Sequence, residues 1–307
     1  MKILCDFDGV LTEQTEEANR VLELFRLGLA RLQSDPASAQ RIDGMIQKGL
    51  AEMKADPSHN GWRNRDRIAA FADEDLFIRN NGLAAWMNAQ AAHSPTSEVG
   101  ALLEQVRAQG SANFDVFVNG CFNEMVRETQ AGAMKPIDPE TRPMFESLFA
   151  AGHEVVIVSN SGTERILGIL RSVGLEAEAH ESGKPHRLRV RGNARKFELG
   201  EQSRGFAVDS YLCETARPFY EEIIREERPQ AFVGDVFSLD LALPLDLTRI
   251  DPQAFPQAKL FLRTRDYTPS WATRFAERFN AERNALGYSA ASLYCLNDLR
   301  DLPRLLV

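Results

Sequence analysis

The stretch Asp6-Phe7-Asp8-Gly9-Val10-Leu11-Thr12 runs directly out of the apolar segment Ile3-Leu4-Cys5, and it decides the fold. Side chains alternate faces along a strand, so two aspartates two positions apart at a strand's carboxyl end can both reach the crevice where open α/β sheets bind ligands. The first can attack phosphorus and the second can protonate the leaving oxygen. Two carboxylates that close repel one another unless neutralised, and a hard divalent cation held by oxygen ligands is the usual remedy. A turn or helix cap accounts for one such aspartate, but a buried pair has no structural purpose of its own.

Downstream of Thr12 the periodicity changes. Val21, Leu22, Phe25, Leu29 and Leu32 recur at helical spacing, as do Ile42, Met45, Ile46, Leu50 and Met53, then Leu102, Leu103 and Val106, then Phe114, Phe117, Val118, Phe122 and Met125. The spacing predicts an all-helical insertion over residues 15–135. From Pro136 onward strands alternate with helices. His153 to Val158 is a β-branched run ending in Ser159-Asn160-Ser161-Gly162, and Thr163 to Val173 reads as a helix. Ala231-Phe232-Val233 leads into Gly234-Asp235, and Ala258–Leu262 and Ser292–Leu296 are further strands. Such alternation predicts a parallel sheet with helices on both faces, a Rossmann-like three-layer α/β core formed by residues 1–14 and 136–307. Residues 186–213 break the rhythm, with two strand-like runs around Gly200–Arg204, and read as a β-hairpin excursion from the main sheet.

Three loops at predicted strand ends therefore carry short polar residues: Asp6 and Asp8, Ser159 and Asn160, and Asp235 with Asp240. Each alone is a common turn sequence. In this order and context the motifs resemble those of the haloacid dehalogenase superfamily, a large group of aspartate-nucleophile phosphatases and related enzymes. The insertion directly after the first motif is similar in position to the helical cap of many members.

The resemblance implies a magnesium-dependent phosphatase acting on a small phosphorylated metabolite. Asp6 would be the nucleophile that forms an aspartyl-phosphate, and Asp8 the general acid and base. An aspartate at position 8 points to phosphatase or phosphomutase chemistry, away from the dehalogenase and ATPase branches. Mg2+ would be held by Asp6, the Asp8 main-chain carbonyl and Asp235, with Asp240 orienting water or ligand. Ser159, the Asn160 amide and Gly9 would face the phosphoryl oxygens. The superfamily's third motif supplies a cation at the start of the helix preceding the Gly-Asp strand. Here Ala216-Arg217-Pro218 opens that helix, so Arg217 stands first, with Lys196 the competitor and Lys184 a third. A phosphomutase with the same site and a non-catalytic binding protein are the alternatives.

In capped members the insert reads the substrate, which nominates Trp62, Arg63, Arg79 and Asn80. His59–Arg67, the segment holding the first two, otherwise reads as a solvated loop. Tyr267-Thr268-Pro269-Ser270-Trp271 reads as a turn entering a helix, with Trp271 against the sheet edge. The histidines show no ligand spacing.

Composition narrows the partners. A formal charge of -8 without a basic tract argues against a sequence-independent nucleic-acid grip. No apolar run approaches the roughly 20 residues of a membrane helix. Met-Lys leads straight into the first strand, leaving no room for a signal peptide, so a cytoplasmic location is expected. Cys5, Cys121, Cys213 and Cys295 are scattered and are expected to be reduced core residues. Oligomeric state is not written in the sequence.

Overall fold

Strand β1 (Lys2–Cys5) owes its central place to its composition: Ile3, Leu4 and Cys5 are all buried although they alternate between faces. Only a strand covered on both sides can be apolar on both sides, which is the signature of a parallel sheet between helical layers. The computed structural model describes residues 1–33, 35, 37–132 and 137–306. In chain order its elements are β1, α1 (Thr15–Arg31), α2 (Ser38–Ala55), β2 (Gly61–Asn64), β3 (Arg67–Phe71), α3 (Leu76–His93), α4 (Glu98–Ala108), α5 (Phe114–Gly132), α6 (Thr141–Ala150), β4 (Glu154–Val158), α7 (Thr163–Ser172), β5 (Glu178–Ala179), β6 (Leu188–Arg191), β7 (Gly205–Val208), β8 (Tyr211–Glu214), α8 (Pro218–Glu227), β9 (Ala231–Gly234), α9 (Ala242–Ile250), β10 (Ala258–Arg263), α10 (Ser270–Glu282), β11 (Ala291–Leu296) and α11 (Leu302–Leu305).

The chain divides into two compact units, one of residues 1–13 and 134–307 and the other of residues 14–133. The boundary expected at 135/136 falls outside the described residues.

The first unit is built on a seven-stranded sheet in the order β11-β10-β9-β1-β4-β6-β5, with every described pairing parallel. It is the expected Rossmann-like α/β core. Ile3, Cys5, Val155, Ile157, Val233 and Phe261 share a core with Met144, Phe145 and Leu148 of α6 and Ile166 and Leu170 of α7. One expectation is corrected here. Residues 188–191 are a strand of the main sheet, paired with both β4 and β5, and the excursion is the shorter antiparallel hairpin β7–β8. The run 192–204 that separates them is irregular, with Asn193 and Arg195 at φ of +53° and +51°, outside the extended region that a regular strand requires.

In the second unit Phe25, Leu29, Ile42, Leu83, Met87, Leu102 and Phe114 form a separate core among α1 to α5. Asp75 caps α3 by accepting from the amides of Phe77 and Ile78, and Ser97 caps α4 through Gly100 N–H. The unit is helical apart from the hairpin β2–β3, which replaces the loop expected at His59–Arg67. Its turn places Arg65 and Asp66 consecutively at positive φ, the geometry of a two-residue hairpin turn, without the glycine or asparagine that usually announces one.

Candidate active site

Because β1, β4, β6, β9 and β10 are neighbours in one parallel sheet, the loops leaving them gather at a single edge. Asp6 and Asp8 leave β1, Ser159 and Asn160 leave β4, Lys196 follows β6, and Asp235 leaves β9. Asp6 lies next in line after Cys5, and its amide donates to the Val233 carbonyl at 2.9 Å, so the ladder with β9 fixes it.

The centre of the site is a buried chain of charge. Lys196 Nζ donates to Asp6 Oδ1 at 2.8 Å and to Asp240 Oδ1 at 2.5 Å, with the lysine side chain only 2% exposed. Burial acts first on the Asp6 carboxyl and pushes it up; Lys196 opposes this while Asp240 and Asp8 reinforce it, leaving a pKa of about 7. For Lys196 burial would lower the ammonium, but Asp240 and Asp6 reverse the effect and hold it above its usual range. The lysine is therefore a permanent cation against the proposed nucleophile.

Asp8 is held by a different set. Ser159 Oγ donates to Asp8 Oδ2 at 3.0 Å and itself accepts from Ser161 N–H. The Arg165 guanidinium, on the first turn of α7, lies 3.5 Å from Asp8 Oδ1 and donates to Ser161 Oγ at 2.8 Å. No sequence motif marks Arg165, although its position four residues after Ser161 places both on one helical face. Asn160 points elsewhere: its Oδ1 accepts from Lys196 N–H at 2.8 Å. Ser159 and Asn160 thus sit in the turn before α7, and the Asn160 side chain ties that turn to the lysine loop.

Asp235 is buried, and its Oδ2 accepts from the Tyr267 hydroxyl at 3.2 Å. In the sequence Tyr267 reads only as a turn residue. Its position just past β10, beside β9, is the signal that marks it, because that strand end opens on the same crevice. Gly234 is required by contact: a Cβ there would stand 2.2 Å from Asp240 Cβ. The chain returns over Gly234 in a π-helical turn at Phe237–Leu241, which lets Asp240 Oδ2 accept from Val236 N–H at 3.1 Å.

Carboxylate oxygens of Asp6, Asp235 and Asp240 lie within 4.8 Å of one another. An all-oxygen set of this charge fits a hard divalent cation such as Mg2+. A second cluster, His180, Glu226 and Glu227, does not fit one. Its imidazole nitrogens lie 2.8 and 2.7 Å from the guanidinium groups of Arg189 and Arg191, so the positive charge is already supplied.

The preference for Arg217 as the third-motif cation is corrected. Arg217 is fully buried, but its guanidinium donates to the carbonyls of Glu214, Lys196 and Ser238, whereas Lys196 touches the carboxylates. The irregular loop after β6 brings Lys196 across, which no spacing rule could show. Lys184 lies 3.9 Å from Glu178 on the surface. Gly9 takes a φ of +79°, and its carbonyl accepts from Arg265 Nε at 2.6 Å. Arg265 also donates to the carbonyls of Val10 and Thr12 and to Asp138, clamping the loop beyond Asp8.

The remaining candidates belong to the second unit. Trp62 is half-buried on β2, and Arg63 is exposed, donating to the carbonyls of Asp66 and His59 within its own hairpin. Asn80 is buried and donates to the Ala18 carbonyl at 2.8 Å. Arg79 is partly buried, and burial draws its pKa down against the opposing effect of Asp75. In the first unit, Trp271 stacks on Tyr211 of the β7–β8 hairpin at 4.3 Å. All four cysteines are free, and among the described residues no helix is long and apolar enough to cross a membrane.

No family model matches the chain, and neither does any curated protein. Solved structures similar to it include a predicted phosphoglycolate phosphatase from Haemophilus somnus 129pt, at 14% identity and a TM-score of 0.44, covering 99% of this chain and 97% of that one. The 2-haloacid dehalogenase from Pseudomonas syringae pv. Tomato DC3000 is similar at 12% identity and a TM-score of 0.39, with the same coverage. CbbY from Rhodobacter sphaeroides in complex with phosphate is similar at 10% identity and a TM-score of 0.39, covering 98% and 95%. At such identities and TM-scores none of their activities transfers to this chain.

Proposed function

We propose that this chain is a magnesium-dependent phosphatase of the haloacid dehalogenase type, acting on a small phosphorylated metabolite through an aspartyl-phosphate. The observation that carries the reading is the Asp6 carboxylate, buried against the Lys196 ammonium with Asp8 two residues on and Asp235 and Asp240 beside it.

In the first step an Asp6 oxygen attacks phosphorus, the bond from phosphorus to the leaving oxygen breaks, and Asp8 gives that oxygen its proton. In the second, Asp8 takes a proton from water, the water oxygen attacks phosphorus, and the bond to Asp6 breaks to release inorganic phosphate and regenerate the carboxylate. Lys196 favours the ionised form of Asp6 against the burial that opposes it, and offsets charge on the transferring group. Ser159 holds Asp8 in place and its turn flanks the phosphoryl position. Asp6, Asp235 and the Asp8 carbonyl would hold Mg2+, with Asp240 behind them, and the ion would neutralise phosphoryl oxygens.

The test is phosphate release from a panel of phosphate monoesters with magnesium, beside Asp6→Asn. Release by the wild type alone supports the reading. Equal release by the variant refutes the nucleophile, and movement of phosphate onto an organic acceptor without net release would make the protein a phosphomutase.

A further inference from the structure

Lys196 performs its task from an unpromising place. It sits on the irregular run 192–204, which follows a strand two places from β1 in the sheet, outside every strand ladder and directly after Asn193 and Arg195 at positive φ. Loops of this kind are the least rigid part of a fold, whereas a catalytic cation has to be held within a fraction of an ångström. Something must fix its backbone.

Two side chains do so from opposite sides of one residue. Asn160 accepts from the Lys196 amide, and Arg217 NH1 donates to the Lys196 carbonyl at 2.6 Å. Arg217 NH2 donates to the Ser238 carbonyl at 3.0 Å, inside the π-helical turn that carries Asp240, and Nε donates to the Glu214 carbonyl at 3.1 Å, at the end of β8. One planar guanidinium thus joins three segments that share no ladder, two of which supply the partners of the Lys196–Asp240 ion pair. Tyr220, one turn along α8, adds a bond from its hydroxyl to the Asp240 carbonyl at 3.0 Å. Burying a guanidinium costs far more than burying an apolar side chain of the same size, so simple filling does not account for an arginine that is 0% exposed.

We propose that Arg217 is a positioning residue that locks the Lys196 loop to the Asp240 turn and so sets the cation against the nucleophile. The inference rests on the phosphatase reading for its effect on turnover, but the lock itself is a property of the folded chain.

Arg217→Met removes the fork and Arg217→Lys keeps the charge while leaving a single point donor. Each is measured by amide hydrogen exchange, thermal melting and steady-state kinetics, with Lys196→Met as the reference for loss of the cation. In Arg217→Met, exchange in residues 194–197 and 236–241 should rise at least about tenfold while β1 and β9 keep their protection. Turnover should fall about a hundredfold at nearly constant KM, with partial recovery in Arg217→Lys. If Arg217→Met does not fold, Arg217→Lys carries the same readouts at smaller amplitude. Folded variants with wild-type exchange in both segments overturn the proposal. So does a lowered melting temperature with kcat unchanged, which would make Arg217 a purely structural strut. If the wild type releases no phosphate from any ester, the phosphatase reading fails, while the exchange pattern still decides whether Arg217 joins the two segments.

Discussion

Replacing Asp6 by asparagine should stabilise the metal-free protein, and the gain should grow with pH. The Asp6 side chain is 11% exposed, and burial raises its pKa from 3.8 to about 7, with Asp240 and Asp8 adding to the rise and Lys196 opposing it. Below about pH 4 the acid is protonated in folded and unfolded chains alike, and the site carries no penalty. Between there and about pH 7 the unfolded chain ionises while the folded one does not, so stability falls as pH rises, and above pH 7 the deficit is complete. A rise of this size amounts to a few kcal/mol. An amide mimics the protonated acid and escapes this deficit. Urea unfolding in a chelator should therefore show Asp6→Asn more stable than wild type by a few kcal/mol at pH 8 and by clearly less at pH 5. Magnesium should narrow the gap, because it binds the folded wild type more tightly than the variant. A variant less stable than wild type at pH 8, or a gain independent of pH, would refute the reasoning.

Three further predictions concern residues around the carboxylates. Gly234→Ala forces a Cβ to within 2.2 Å of Asp240 Cβ; it should lower stability by about 1–3 kcal/mol and abolish most phosphate release, and normal turnover would contradict the contact. Arg265→Leu should cost about 1–3 kcal/mol in chemical unfolding, since it removes the donor to three carbonyls of the loop after Asp8 and leaves Asp138 only the more distant Arg263. Arg142→Ala, which breaks an exposed pair with Glu146, should cost less than about 1 kcal/mol, and equal losses would remove the clamp's importance. Tyr267→Phe deletes the bond to Asp235 and should weaken Mg2+ binding about tenfold by calorimetric titration; unchanged affinity would show that the hydroxyl does not orient the ligand.

What is legible in the sequence follows the rules that act locally. Strand β1 and its two aspartates can be read because an apolar run ending in a carboxylate pair makes chemical sense at a strand end and almost nowhere else in a fold. The helical insert is equally plain from its spacing, and Gly234-Asp235 from its strand. What escapes depends on contacts distant in sequence. Lys196 reaches Asp6 across 190 positions, through a loop whose positive-φ residues are an asparagine and an arginine with no motif around them. The Arg217-Pro218 pair looks like the expected cation because proline suits a helix start, yet the guanidinium turns inward to carbonyls. The β2–β3 hairpin is hidden for a related reason: Arg65 and Asp66 adopt left-handed conformations that composition alone does not announce. Tyr267 is inconspicuous because the run Thr264-Arg265-Asp266-Tyr267-Thr268-Pro269 after β10 reads as an ordinary turn and matches none of the motifs at the other strand ends.

The most direct measurement of the central claim is trapping of the covalent intermediate. Wild type would be mixed with its best phosphate monoester and magnesium, quenched in acid, reduced with borohydride and mapped by mass spectrometry. Reduction of an acyl phosphate converts the aspartate to homoserine, and that change is predicted at Asp6 alone, accumulating in Asp8→Asn and absent in Asp6→Asn. Phosphate release accompanied by conversion at another carboxylate, or persisting in Asp6→Asn, would contradict the assignment of Asp6 as the nucleophile.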